Sequence, residues 1–134
     1  MPKQTVPAEN EKLTINLGVV DLGQIDLLVE DGFYGNRADF VRTAVRTQLQ
    51  QHAAQLQGTV ARRMMVVGVT HISKSQLEDL SAKQKTIDVK VTGLLHIAAD
   101  VPAELARQTI QTVEVRGVFR ASDPVKKALA GRIN

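Results

Sequence analysis

A short segment near the start of the chain carries polar side chains at every second position. In residues 11–17, "EKLTINL", apolar residues alternate with a polar set that consists of Lys12, Thr14 and Asn16. This alternation is typical of a β-strand with one buried face, because successive side chains point to opposite sides of a strand. The three polar side chains therefore share the exposed face of a predicted strand and offer hydrogen-bond donors and acceptors there.

A second set of polar side chains recurs in the back half of the chain. His71, His96 and Arg120 each lie three residues after a glycine. Imidazoles could bind a metal ion or, together with the guanidinium, an anion. The arginine opposes a bound cation and the chain has no cysteine, so we expect structural or exposed histidines, no metal site and no cofactor. We find no acid–base pair, catalytic triad or phosphate loop, so we do not expect an enzyme.

Composition and charge set broad limits on function. The chain has 134 residues, of which 43% are hydrophobic and 23% charged, which is typical of a soluble globular protein. The first 60 residues contain five basic and seven acidic residues, a net charge of −2, and the remaining residues carry +5, which gives the chain its total of +3. Charge alone thus favours nucleic-acid binding only weakly. We read no signal peptide and expect no membrane span, because no apolar run has the required length.

The predicted strand is followed by the pattern of an amphipathic helix. Asp21 and Gln24 resemble a capping box, which predicts a helix start near Asp21. Gly32 is suited to the position just after the helix, where a left-handed backbone conformation is common. Between them, apolar residues that include Ile25 recur at helical spacing on one face.

A second helix is predicted after Gly32. Asn36 is a candidate N-cap, and the helical pattern continues to about Gln57, where Gly58 can end it. The apolar stripe of this helix consists of Phe40, Val41, Ala44, Val45 and Leu49. A unit of about 45 residues buries too little surface to be stable alone, so we expect two copies to share one core. In that dimer the strands pair antiparallel, and its predicted core consists of Leu13, Ile15, Leu17, Ile25, Phe40, Val41 and Val45.

The order of these elements resembles a known family. The segment "KLTINL", an amphipathic helix and then "GFYGNRADFVRTAVR" are similar to the ribbon-helix-helix proteins of the MetJ/Arc/CopG class, over roughly residues 11–52. The resemblance implies a homodimer whose two-stranded ribbon enters the major groove of a double-stranded DNA operator. This part of the chain has a net negative charge, whereas many members of the family are basic.

The resemblance also implies roles for particular side chains. The outward face of the ribbon would contact base edges through Lys12, Thr14 and Asn16. The start of the second helix would hold a backbone phosphate through Asn36 and Arg37, because free N–H groups and the helix dipole attract an anion. Lys3, in the leader, would add a further phosphate contact.

The back half contains a short repeat. "GVTHISKSQLEDL", "GLLHIAADVPAEL" and "GVFRASDPVKKAL" begin at glycines 24 or 25 residues apart, namely Gly68, Gly93 and Gly117. Strand-like segments precede the glycines, and capping residues for a short helix follow them at Ser75, Asp100 and Ser122. This pattern predicts three strand–helix units in a short solenoid-like stack. A compact α+β domain with duplicated strand–helix units is the alternative.

Together these patterns predict an α+β chain with a flexible leader at residues 1–10, a ribbon-helix-helix domain at 11–57, a linker at 58–65 and a repeat domain at 66–134. The expected function is sequence-specific transcriptional regulation, as a repressor or autoregulator in the bacterial cytoplasm and at the nucleoid. The repeat domain would serve oligomerisation, as in a dimer of dimers, or bind a protein or small ligand. The alternative is an assembly or partner-binding protein, including an antitoxin-like one, that uses the helical unit only to dimerise.

Overall fold

The computed structural model describes residues 10–134, which form two compact units. One unit is Lys12–Thr59, and the other is Val60–Asn134 together with residues 10 and 11. Lys3, a predicted phosphate contact, lies outside the described residues. Helices and strands both occur, in agreement with an α+β chain.

The elements follow one another in a simple order. The first three helices are α1 (Val19–Glu30), α2 (Arg37–Gln51) and α3 (Ala53–Arg63). The remaining elements are β1 (Val66–Ile72), α4 (Lys74–Ala82), β2 (Ile87–Ile97), α5 (Ala103–Thr109), β3 (Ile110–Arg120), α6 (Asp123–Ala128) and a 3-10 turn (Ala130–Arg132).

Residues 10–18 form no regular secondary structure, so the strand predicted at residues 11–17 is not formed by a single chain. The physical reason is that a strand needs a neighbour to satisfy its backbone donors and acceptors. No other segment among the described residues pairs with this one. The prediction of antiparallel pairing between two copies is a separate matter, which a single chain does not test.

The ends of α1 differ in how well they were predicted. The helix begins at Val19, with Gly18 as N-cap and no side-chain capping bond, so the capping box expected at Asp21 was wrong. Asp21 instead lies in the first turn, where its negative charge favours the positive end of the helix. At the other end the prediction is confirmed, because Gly32 adopts a positive φ of 85° and donates to the carbonyl of Val29.

The start of α2 is confirmed at Asn36. The Asn36 side-chain oxygen accepts a hydrogen bond from the Asp39 backbone N–H at 2.7 Å. Asp39 in turn accepts from the Gly35 N–H at 3.0 Å, so two of the amide groups at this end are satisfied. The helix therefore starts at a fixed residue, which determines where its first-turn side chains project.

The predicted linker at 58–65 was partly wrong. After a break at His52 the chain continues as α3 to Arg63, so Gly58 lies inside a helix. One internal glycine costs a helix only about 1 kcal/mol relative to alanine, which its neighbours can offset. Arg62 and Arg63 occupy the last turn of α3, where positive charge is favourable.

The second unit contains a three-stranded parallel sheet in the order β1-β2-β3. Gly68, Gly93 and Gly117 lie opposite one another in this sheet, with φ values between 121° and 138°. A Cβ atom on Gly93 would lie 2.1 Å from the carbonyl oxygen of Gly68, and one on Gly117 would lie 2.1 Å from that of Gly93. A side chain at Gly93 or Gly117 would therefore clash with the neighbouring strand, and the positive φ values also disfavour any residue but glycine there. The solenoid-like description remains a prediction.

The core of this unit combines side chains from the strands with side chains from α4, α5 and α6. Its buried members are Ile72, Leu77, Val89, Val91, Leu95, Ile97, Ala98, Val101, Ala106, Ile110, Val113, Val125 and Leu129. Of the predicted helix caps, Ser122 is the N-cap of α6. The other two were misplaced: α4 is capped by Ser73, whose capping box uses Gln76, and α5 by Pro102.

Candidate nucleic-acid interface

The predicted base-contacting residues lie on an exposed segment. Lys12, Thr14 and Asn16 are all exposed in the single chain. The alternating apolar residues are exposed as well, with fractions of 85% for Leu13 and 62% for Ile15. Neither face of the segment is therefore buried, and its apolar side chains have no cover within one chain.

An open apolar groove of about 570 Å³ lies in the same unit. Five of the seven predicted dimer-core residues line it, namely Leu17, Ile25, Phe40, Val41 and Val45. Of these only Ile25 is buried, whereas Val45 is 51% exposed. The structure thus brings most of the predicted core together on one surface, but leaves Leu13 and Ile15 away from it. Exposed apolar surface contributes about 25 cal/mol per Å² when it is covered, which favours a partner here.

Arg37 makes a contact that the sequence analysis did not predict. Its Nε donates to Asp26 Oδ1 at 2.7 Å and its Nη2 to Oδ2 at 2.8 Å, forming a bidentate ion pair between α1 and α2. The hydrogen bonds from Arg37 lower the pKa of Asp26, and those same bonds raise the pKa of Arg37. A pairing eleven residues away across a turn leaves no local sequence signal, so the sequence did not predict a partner for Asp26.

The start of α2 combines this ion pair with a helix N-terminus. The capping bonds use the amides of Asp39 and Gly35, while first-turn amides such as that of Ala38 lie where an α-helix offers them no internal acceptor. Such amides, with the helix dipole, can hold a phosphate oxygen. Both members of the ion pair are about half exposed, so the guanidinium is accessible to a second anion.

The histidines of the second unit lie side by side, as the repeat alignment predicts. His71 pairs with His96 across β1 and β2, and His96 with Arg120 across β2 and β3. The two Nδ1 atoms are 2.8 Å apart, close enough to share one proton, and the ring centroids are 4.8 Å apart. Burial lowers the pKa of His96, and the positive charges of His71 and Arg120 lower it further.

The rest of the described chain adds no other candidate chemistry of these kinds. Within residues 10–134, no group of three or more histidine, cysteine, aspartate or glutamate side chains is close enough to hold a metal ion. Over the same residues, no helix combines the length and the apolar character needed to cross a membrane.

Comparison with known proteins agrees with the arrangement of these features. No curated protein and no solved structure matches the chain. Residues 8–126, however, match the Ribbon-Helix-Helix transcriptional regulator family, and the match extends well beyond residue 52 into the second unit. The matched residues therefore include all three strands of the parallel sheet. The chain belongs to the ribbon-helix-helix transcriptional regulator family.

Proposed function

We propose that the protein is a sequence-specific DNA-binding repressor or autoregulator that acts as a homodimer in the bacterial cytoplasm. In the dimer, residues 11–17 of two copies pair antiparallel, and the resulting ribbon enters the major groove. Base edges are contacted by Lys12, Thr14 and Asn16, whose side chains can donate to guanine, pair with adenine or touch a thymine methyl group. Backbone phosphates are contacted by Asn36, Arg37 and Lys3.

The observation that carries this proposal is the coexistence of an exposed alternating segment with an uncovered apolar groove in the same unit. Pairing two segments gives each strand its missing hydrogen-bond partner. The alternation then places the apolar residues on one face and leaves the polar residues facing outward. Family membership supports the same arrangement.

The function can be tested without knowing the target sequence. The full-length protein is incubated with a pool of random duplex DNA at near-physiological salt, and bound DNA is selected and sequenced. We expect recovery of a short inverted or direct repeat, because a two-fold dimer reads two half-sites. Recovery of no common sequence, from protein that is dimeric and folded, would reject sequence-specific binding.

A rival function is supported by two observations. The first 60 residues carry a net charge of −2, and Arg37 is already bound to Asp26. Both would suit a unit used only for dimerisation, in an assembly protein or an antitoxin-like partner-binding protein. Under that alternative the random pool yields nothing, whereas a protein partner is retained by the second unit. Salt dependence also separates the two functions, since each phosphate contact contributes to the slope of affinity against salt.

A further inference from the structure

One edge of the parallel sheet is apolar and open. Among the described residues β1 pairs only with β2, so its outer backbone groups face no neighbouring strand. Its sequence, "VVGVTHI", contains no lysine, arginine, aspartate or glutamate. The exposed fractions are 58% for Val66, 66% for Val67 and 46% for Val69. Edge strands of monomeric proteins usually carry charges or prolines that prevent pairing with another chain, and β1 has neither.

The opposite edge of the sheet is occupied near Val113 by the end of the chain. Ile133 forms a parallel bridge with Val113 of β3, and the Asn134 N–H donates to the Val113 carbonyl at 2.8 Å. The Arg132 side chain donates to the Ile110 carbonyl at 2.8 Å and also to the carbonyl of Arg107. The β3 edge is therefore occupied in part by the chain itself, whereas β1 has no such cover among the described residues.

Gly68 leaves space at the middle of the open edge. Its φ of +129° matches those of Gly93 and Gly117, each of which lies against the carbonyl of the preceding strand. No described atom lies within 4 Å of the position that a Gly68 Cβ would occupy. A glycine within a strand commonly marks a place where another backbone approaches closely.

We propose that β1 pairs antiparallel with β1 of a second copy, which joins two sheets into one of six strands. The β3 edge is partly occupied, whereas β1 has no strand neighbour on its outer side among the described residues, and a two-fold axis between equivalent strands makes them antiparallel. Because β1 contains no lysine, arginine, aspartate or glutamate, self-pairing brings none of these charged side chains together. The edge is thus an isologous interface that closes at two copies.

The short connection between α3 and β1 also favours a second copy of the chain as the partner of β1. Only two residues separate the end of α3 from the start of β1. If the first units dimerise, as the proposed function requires, the two β1 strands are held at a high effective concentration. The inference uses the proposed function only for this step, and the two interfaces can be tested separately.

Since the chain has no cysteine, single-cysteine variants of the full-length protein report on each interface. We would introduce Val66→Cys, Val67→Cys and Val69→Cys one at a time and treat each variant with a mild oxidant and a short bis-maleimide. Gln111→Cys, at an exposed position of β3, is the matched control. Ile15→Cys reports on the ribbon. Amide hydrogen exchange of β1 in the unmodified protein is measured in parallel.

We expect at least one β1 variant to convert to a band of twice the chain mass, no such band for Gln111→Cys, and slow amide exchange in β1. Adding Val67→Lys to the Val69→Cys variant should abolish the band, because a charged side chain on an edge strand disfavours pairing with another chain. Absence of the band in all three β1 variants overturns the inference, whether the amides exchange fast or are protected by another segment. A band for Ile15→Cys without one for β1 leaves the proposed function intact, and the reverse result removes the ribbon but keeps the edge interface.

Discussion

At the scale of single residues, Arg37 has one partner in the structure and a different one in the proposed function. The structure pairs it with Asp26, whereas the proposed function assigns it to a DNA phosphate. A guanidinium has five donors in a planar fork, so it can keep one carboxylate and still reach a second anion. The pair would then position the side chain at the start of α2 before DNA arrives.

This dual role predicts opposite effects for the two members of the pair. Arg37→Ala should weaken binding to all DNA sequences about equally and reduce the salt slope by about 1. Asp26→Asn should leave binding intact or strengthen it, because it removes a negative charge that competes for the same guanidinium. Fluorescence anisotropy over a range of salt concentrations measures both, with Lys85→Ala as a control that removes a positive charge from the other unit. An unchanged slope for Arg37→Ala would make the pair purely structural.

His96 makes the folded state sensitive to acid. Its pKa is lowered from the ordinary value of 6.5, first by burial and then by His71 and Arg120. The unfolded chain therefore binds this proton more tightly than the folded chain does. The contribution of His96 to stability is complete above about pH 6.5 and is lost as the pH falls through the folded pKa.

We expect the urea midpoint of the wild-type protein to fall between about pH 7.5 and about pH 5.5. The His96→Gln variant should lose less over this range, since its side chain does not titrate. His52→Gln, which removes an exposed histidine from the other unit, should keep the wild-type loss. Equal losses in wild type and His96→Gln would show that other groups cause the pH dependence.

At the scale of elements, three aligned glycines determine how closely the strands approach. These glycines lead to a prediction for Gly93→Ala. The alanine Cβ would lie 2.1 Å from the Gly68 carbonyl oxygen, and the residue would have to keep a φ of +138°. Backbone strain of this kind costs about 1–3 kcal/mol before any clash is counted. We expect thermal melting of the full chain to show a markedly destabilised second unit.

Gly23→Ala is the matched control for this substitution. Gly23 lies inside α1, and a Cβ there would meet nothing within 4 Å, so alanine should stabilise the helix by about 0.4–1 kcal/mol. The two glycine-to-alanine changes should therefore have opposite signs. A Gly93→Ala protein with the melting profile of wild type would mean that β2 can move away from β1 without cost.

Elements whose signals are local could be predicted from the sequence. Asn36 and Gly32 were placed correctly, because capping and a positive φ depend on a few neighbouring residues. The equivalence of Gly68, Gly93 and Gly117 followed from their spacing, and the structure places them in register. The same alignment predicts that His71 lies next to His96, and the structure confirms this.

Features that depend on competition or on distant residues could not be predicted. Ser73 and Ser75 both precede helical residues, and Ser73 caps α4 because Gln76 can return a bond to its N–H. Gly58 resembled a helix end, but α3 continues through it. The ion pair of Arg37 with Asp26 depends on how α1 and α2 pack. The strand predicted at residues 11–17 is absent from the single chain, because a strand needs a neighbouring strand to satisfy its backbone groups.

At the scale of the whole molecule, each unit leaves apolar surface uncovered in a different form. The first unit has a groove and an exposed alternating segment, and the second has an open strand edge. In the proposed two-fold dimer, ribbon formation would cover the first and edge pairing would cover the second. Two independent contacts between the same two chains would make the dimer much tighter than either contact alone, which suits a regulator that must stay dimeric at low concentration.

The central claim is that the outward face of the ribbon reads bases. It is tested most directly by the equilibrium affinity of wild type and Asn16→Ala for the operator recovered from the random pool and for a scrambled duplex. A good bidentate base contact is worth about 1–3 kcal/mol, so we predict that Asn16→Ala loses at least about fivefold for the operator and nothing for the scrambled duplex. An unchanged ratio of the two affinities, from a variant that remains a folded dimer, would contradict the account.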